Sequence, residues 1–167
     1  MAIAAGERIP NITLKTMTAD GIADVNLTDV LADRKVILFG LPGAYTPVCS
    51  TQHLPGYVAE SDRLKANGVG EIGCISVNDP FVMDAWGEAH GAAGKVLMLS
   101  DAEATFTRAI GMSLDLSKFG CGERSQRYSL VVENGVVTEV NVEESIFDHE
   151  ASAATKLLAP QAAEATP

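Results

Sequence analysis

The apolar run Val36–Leu41 (VILFGL) carries no polar side chain. A strand built from it is buried on both faces, and only a sheet covered on both sides can bury it so. Pro42-Gly43 then breaks the strand, and a helix signal follows within a few residues. Three further segments read as strands: Asn11–Met17 by apolar alternation, Glu71–Asn78 and Lys95–Asp101. A helix is expected over Asp79–His90, with Pro80 at its first position, and a short one over Glu103–Gly111, closed by the glycine. Arg127–Glu143 holds two strands around Asn134-Gly135, a strong hairpin signal, and Glu150–Leu158 reads as a last helix. Strands and helices alternate, then a hairpin and a helix finish the chain. That order predicts an α/β fold, a central mixed β-sheet flanked by helices on both faces. With no repeat or linker, residues 1–160 are expected to be one domain and 161–167 a loose tail.

Charge and cysteines narrow the function. The 167-residue chain carries a net charge of -10, so phosphate-rich nucleic acid and anionic membrane surfaces are poor partners. Glu7, Arg8 and Pro10 interrupt any signal-peptide core, and no apolar run reaches the length of a membrane span. Cys49, Cys74 and Cys121 are an odd set without CxxC or metal-ligand spacing. A reducing cytoplasm is the expected compartment, and each thiol is either inert core or reactive.

Cys49 has the setting of a reactive thiol. Thr46 is a good helix N-cap and Pro47 suits the first helical position, which puts Cys49 in the first turn. Free N–H groups and the positive end of the helix dipole there favour a thiolate. Pro55 removes a helical hydrogen bond, so a bend is expected at Pro55-Gly56. His53 shares a helix face with Cys49, but the bend is expected to turn its ring toward structural hydrogen bonds of its own. A cation to hold the thiolate could be Arg124 or Arg127, both ahead of a strand; alternation puts Arg127, Ser129 and Val131 on one face and Tyr128, Leu130 and Val132 on the other. Periodicity does not choose between the two arginines.

The blocks PGAYTPVCS and HLPGY, with CISVNDPFVMDAWG and RYSLVVENGVV, resemble the peroxiredoxins, in their atypical, type II branch. The resemblance covers about Ala2 to Glu143. It implies a thioredoxin-like fold and reduction of hydrogen peroxide and alkyl hydroperoxides without metal or organic cofactor. Pro42, Thr46 and Cys49 match the motif and Arg127 the family arginine. By that match Cys49 is the peroxidatic thiolate, Thr46 bonds peroxide and thiolate, and Pro42 shields the pocket. The N–H groups of Val48 and Cys49, with Arg127, hold the peroxide oxygens. The C-terminal stretch lacks the resolving cysteine of mammalian peroxiredoxin 5. Cys74 is expected to be a core thiol set too far back along its strand to reach Cys49, and Cys121 an exposed secondary thiol in a glycine-flanked loop. Glutaredoxin with glutathione, or thioredoxin, is the expected reductant. The family also implies a homodimer, with Tyr45, Phe81 and Trp86 near the pocket edge. The alternatives are a thiol–disulfide oxidoreductase on the same fold, which would want CxxC, and a non-catalytic redox sensor.

Overall fold

The computed structural model describes residues 1–158, so the tail expected over 161–167 lies outside the described residues. The chain opens with a hairpin, β1 (Thr13–Thr18) and β2 (Gly21–Asn26), closed by a two-residue loop at Ala19 and Asp20, with Gly21 following at φ 109. Asn26 then caps α1 (Leu27–Leu31) by accepting from the N–H of Asp29. Neither β2 nor α1 was expected, although Asp20-Gly21 is turn chemistry. β3 (Lys35–Gly40) leads through a loop to a helix that starts at Pro47, passes through a π-helical turn at Cys49–His53 and continues as α2 (Leu54–Ala66).

Next come β4 (Val69–Ser76), α3 (Pro80–Ala89), β5 (Leu97–Ser100) and α4 (Thr105–Ala109). Asp79 caps α3, its side chain accepting from Val82 N at 2.8 Å. A small separate sheet follows, β6 (Ser113–Asp115) and β7 (Glu123–Ser125), too short to register as alternation in sequence. The expected hairpin is β8 (Tyr128–Glu133) and β9 (Val136–Val142). Asn134 at φ 48 and Gly135 at φ 81 supply the two left-handed residues that its tight turn requires.

The main sheet has seven strands in the order β2-β1-β5-β4-β3-β8-β9. β3, β4 and β5 run parallel, while β1, β2, β8 and β9 pair antiparallel, so the sheet is mixed as expected. One face packs Ile37, Phe39, Ile72 and Cys74 under Leu54, Tyr57, Met83 and Trp86 of α2 and α3. The other packs Val36, Leu38, Ile75 and Leu130 under Leu27 and Leu31 of α1 and Phe106 of α4. Helices therefore cover both faces, which is why VILFGL can be apolar throughout.

Two boundaries differ from expectation for reasons that bear on the site. β4 stops at Ser76, two residues early, because Asn78 turns out of the sheet: its Oδ1 accepts from Ser76 Oγ at 2.6 Å and from Ala44 N at 2.9 Å. The last helix occupies residues 154–158 and not 150–158, because the amides of Glu150, Ala151 and Ser152 donate to the carboxylate of Glu143.

Gly40, at the end of β3, pairs with Tyr128 of β8, and the tyrosine ring lies across it. A Cβ on Gly40 would come within 2.1 Å of that ring. Gly40→Ala is expected to destabilise the fold by about 3 kcal/mol, at the upper end for overpacking a rigid interior. Urea denaturation measures it, and a loss near zero would mean that the Tyr128 ring moves freely.

Candidate active site

The antiparallel pairing of β3 with β8 brings the start of β8 beside the end of β3. Arg127, one residue ahead of β8, therefore stands next to the loop that leaves β3, 78 positions from Cys49 in sequence. Two antiparallel strands do this, and no local pattern announces it.

The loop from Leu41 to Thr46 is fixed at several points. Ala44 N donates to Asn78, and Arg124 Nη1 donates to the carbonyl of Pro42 at 3.3 Å. Tyr45 sits at φ 65, a left-handed conformation that costs a non-glycine residue on the order of 1 kcal/mol. Thr46 stands at the cap position before Pro47, yet its hydroxyl donates to Gly43 O at 2.6 Å and caps no helical N–H. With its proton committed, the Thr46 oxygen is left as an acceptor toward the cavity. The helix makes its first backbone bond from Ser50 N to Thr46 O at 3.0 Å, so the amides of Val48 and Cys49 precede the ladder.

Pro55 and Gly56 lie within continuous helix where a bend is expected, and the helix instead widens one turn earlier. Leu54 N donates five residues back, to Cys49 O, which makes Cys49–His53 a π turn. Pro55 has no N–H to give to Thr51, and the widened turn takes up the mismatch. Trp86 Nε1 donates to Ser50 Oγ at 3.0 Å and ties α3 to this turn.

Cys49 is fully buried, and its sulfur lies 3.2 Å from Arg127 Nη2. The same guanidinium donates to the carbonyl of Ile146 from Nε at 3.2 Å and from Nη2 at 2.9 Å. Its Nη1 stands 3.0 Å from Nδ1 of His53. Arginine can only donate, so Nδ1 of His53 is the bare nitrogen. Burial, then the charge of Arg127, then His149 keep the His53 pKa well below its ordinary value, and the ring is neutral. His53 thus turns to the arginine and not to the sulfur, the structural role expected of it. The sequence did not reveal that its partner would be Arg127. The carbonyl of Ile146 had no sequence signal either, because a backbone acceptor in a loop has none.

A cavity of ≈ 240 Å³ reaches Arg127 of this group, lined also by Pro42, Thr46 and Val48 and by the apolar Leu116, Phe119, Ile146 and Phe147. Cys121 lines it too, half-buried. Arg124 belongs to β7 and not to a loop, and it reaches Pro42 and the Cys121 carbonyl, not the sulfur. Cys74 is buried on β4, and burial, then the nearby Cys49, push its thiol well above the ordinary range. It lies two residues before the end of β4, so the strand offset from Cys49 is smaller than expected. What separates it from chemistry is that it stays protonated.

A buried thiol beside a buried arginine, at a helix start whose first amides are free, is suited to reduce a peroxide, and the comparisons agree. The family model described as Redoxin matches residues 4–158. Peroxiredoxin-2C of Oryza sativa subsp. japonica is 43% identical over 85% of this chain and 88% of its own length. A reduced Prx3 from Vibrio vulnificus, solved in complex with hydrogen peroxide, is 48% identical with a TM-score of 0.89, covering 95% of this chain and 98% of that one. The chain belongs to the peroxiredoxins, in their type II group. As a peroxiredoxin it is a thiol-dependent peroxidase on a thioredoxin-like fold. A structure from Burkholderia cenocepacia described as a thioredoxin reductase superposes equally well, with 43% identity, a TM-score of 0.92, and coverage of 95% of this chain and 98% of that one. This peroxiredoxin has no CxxC dithiol, so that description carries no activity over to it.

Arg127→Ala in this peroxiredoxin is expected to slow hydrogen peroxide reduction by about a hundredfold, the scale of losing one charge-stabilising donor. Arg124→Ala, which loosens only the Pro42 turn, should cost about tenfold or less. Stopped-flow rates decide, and equal losses would mean that the helix dipole and not Arg127 governs the sulfur.

The neutral His53 has a second consequence. Its folded pKa lies below the unfolded value near 6.5, so the unfolded chain takes up a proton first as pH falls. Its contribution to stability is complete above about pH 6.5 and is lost progressively below it. His149 shifts in the same direction through burial. The thermal midpoint should fall between about pH 7.5 and 5.5. The fall should shrink in His53→Gln, which keeps an acceptor for Arg127 and cannot titrate. An identical slope in that variant would assign the effect elsewhere.

Proposed function

We propose that this chain reduces hydrogen peroxide and alkyl hydroperoxides at Cys49, and that an external thiol then reduces the oxidised sulfur. The observation that carries this reading is the 3.2 Å contact between Arg127 Nη2 and the buried Cys49 sulfur. Among the described residues Arg127 has no carboxylate partner, and an unpaired buried cation favours a negative neighbour. The Cys49 sulfur is that neighbour.

The sulfur attacks one peroxide oxygen. The S–O bond forms as the O–O bond breaks, sulfur loses two electrons, and the leaving oxygen departs as water or alcohol after taking a proton. Arg127 and the amides of Val48 and Cys49 hold the oxygens as charge moves to the leaving one. Thr46, with its proton on Gly43 O, accepts from the peroxide O–H and aligns it. Pro42 closes one wall and keeps water out. The peroxide-bound Vibrio vulnificus relative supports the first substrate, and the apolar lining of Leu116, Phe119, Ile146 and Phe147 supports the alkyl ones.

Cys49 sulfenic acid then condenses with an incoming thiol, which releases water, and a second thiol displaces the mixed disulfide to restore Cys49. Glutaredoxin with glutathione, or thioredoxin, supplies these thiols in our reading, in the cytoplasm. For the homodimer, the exposed apolar rings of Tyr45 and Phe81 suit an interface. Trp86 does not belong to that face: it is fully buried, with its indole N–H held by Ser50.

After one equivalent of hydrogen peroxide without added thiol, Cys49 should be trapped by dimedone as sulfenic acid, because Cys74 is buried and protonated. Cys49→Ser should lose turnover, and Cys74→Ala should keep most of it with a glutathione-based reductant. Intact mass with peptide mapping reads the first and steady-state peroxide consumption the second. A dominant Cys49–Cys74 disulfide would show Cys74 to be the resolving thiol, and turnover in Cys49→Ser would end the assignment.

A further inference from the structure

The group that steadies the sulfur is itself steadied from one place. The backbone carbonyl of Arg127 accepts from Glu143 N at 3.0 Å, and its guanidinium is locked by the carbonyl of Ile146, three residues further on. Arg127 is therefore gripped at both ends by one short segment. That segment leaves β9 and enters a loop with little regular structure, which by itself gives no reason for the Ile146 carbonyl to stay in place.

Glu143 supplies the reason. It is buried, and its carboxylate accepts from the backbone N–H groups of Glu150 at 3.0 Å, Ala151 at 3.1 Å and Ser152 at 2.7 Å, and from Ser152 Oγ at 2.5 Å. These bonds close residues 143–152 into a loop whose two ends meet at one carboxylate. From α2, Tyr57 Oη donates to the Ser152 carbonyl at 2.8 Å and fixes the far end to the helix behind Cys49. No cation pairs with Glu143 among the described residues, so its charge is met by N–H and O–H donors alone. A glutamate used in this way orders backbone, and the backbone it orders carries the acceptor for Arg127.

We propose that Glu143 is a positioning residue of the peroxidase reaction, which acts by closing the 143–152 loop so that the Ile146 carbonyl aims the Arg127 guanidinium at Cys49. Glu143 touches neither sulfur nor substrate. The proposal rests on the reading of Arg127 as the group that holds the thiolate and the peroxide.

The test is a double-mutant cycle on the full chain, with single-turnover hydrogen peroxide reduction as the readout. Glu143→Gln keeps the shape but turns an N–H₂ toward backbone donors. It should lose about tenfold in rate at neutral pH, because a small misplacement of a catalytic group is costly. The pH midpoint of Cys49 alkylation by iodoacetamide should rise with it, a shift that plain loss of stability does not produce. Ser152→Ala removes only the hydroxyl bond and should lose about twofold to threefold by the same mechanism. In an Arg127→Ala background both losses should vanish, since nothing is left to aim. A folded Glu143→Gln with the wild-type rate and alkylation profile would overturn the proposal, as would losses of the same size with and without Arg127. If Glu143→Gln does not fold, Ser152→Ala decides on the same criteria. A near wild-type rate in Arg127→Ala alone would instead overturn the role of Arg127, and the proposal with it.

Discussion

A buried guanidinium that meets no carboxylate among the described residues organises this molecule. Moving an arginine out of water costs several kcal/mol unless its donors are met and its charge is answered. Here Arg127 meets a backbone carbonyl, a neutral imidazole and a sulfur. Two of these partners carry no charge, so the demand for a negative one falls on Cys49. The neutrality of His53 belongs to the same requirement: a protonated ring in that place would put two cations 3.0 Å apart in a dry interior.

The sheet serves that contact. Parallel β3 and β4 bring the loop after β3 to one edge, where Asn78, just past the end of β4, holds it through Ala44. Antiparallel β8 then delivers Arg127 to the same edge. The site is thus assembled by strand ends, and Gly40 lets β3 finish directly beside the Tyr128 ring.

Much of this was legible in sequence and the rest was not, for identifiable reasons. VILFGL, Pro80 after a capping aspartate, and Asn134-Gly135 each obey a local rule, so their strand, helix and hairpin stood where the sequence put them. The setting of Cys49 just past a strand end and a proline turn was legible because those residues are neighbours along the chain, while the role of Pro42 came with the resemblance. α1, β6 and β7 are short, and periodicity needs length to show; β2 is as long as β1, but Ile22 faces solvent and spoils its alternation. The choice between Arg124 and Arg127 required resemblance: Arg124 lies within β7 and Arg127 just ahead of β8, and only the pairing of β3 with β8 brings Arg127 beside the loop after β3. Thr46 was right in place and different in bonding: it gives its proton to the turn and leaves the helix uncapped. The strand carrying Cys74 ended earlier than its apolar pattern suggested, since Asn78 found better partners outside the sheet.

The bond between Trp86 and Ser50 gives this protein an optical property. Trp86 is the only tryptophan in the chain, it is fully shielded from solvent, and its indole N–H points at the residue that follows Cys49. The His90 ring lies edge-on to it at 5.8 Å. Its emission therefore comes from a single environment, one hydrogen bond away from the π turn that carries the reactive sulfur. When that turn rearranges, the indole loses its acceptor and meets water, and the colour of the fluorescence shifts to the red. The one tryptophan of this chain looks directly at the turn where the sulfur works.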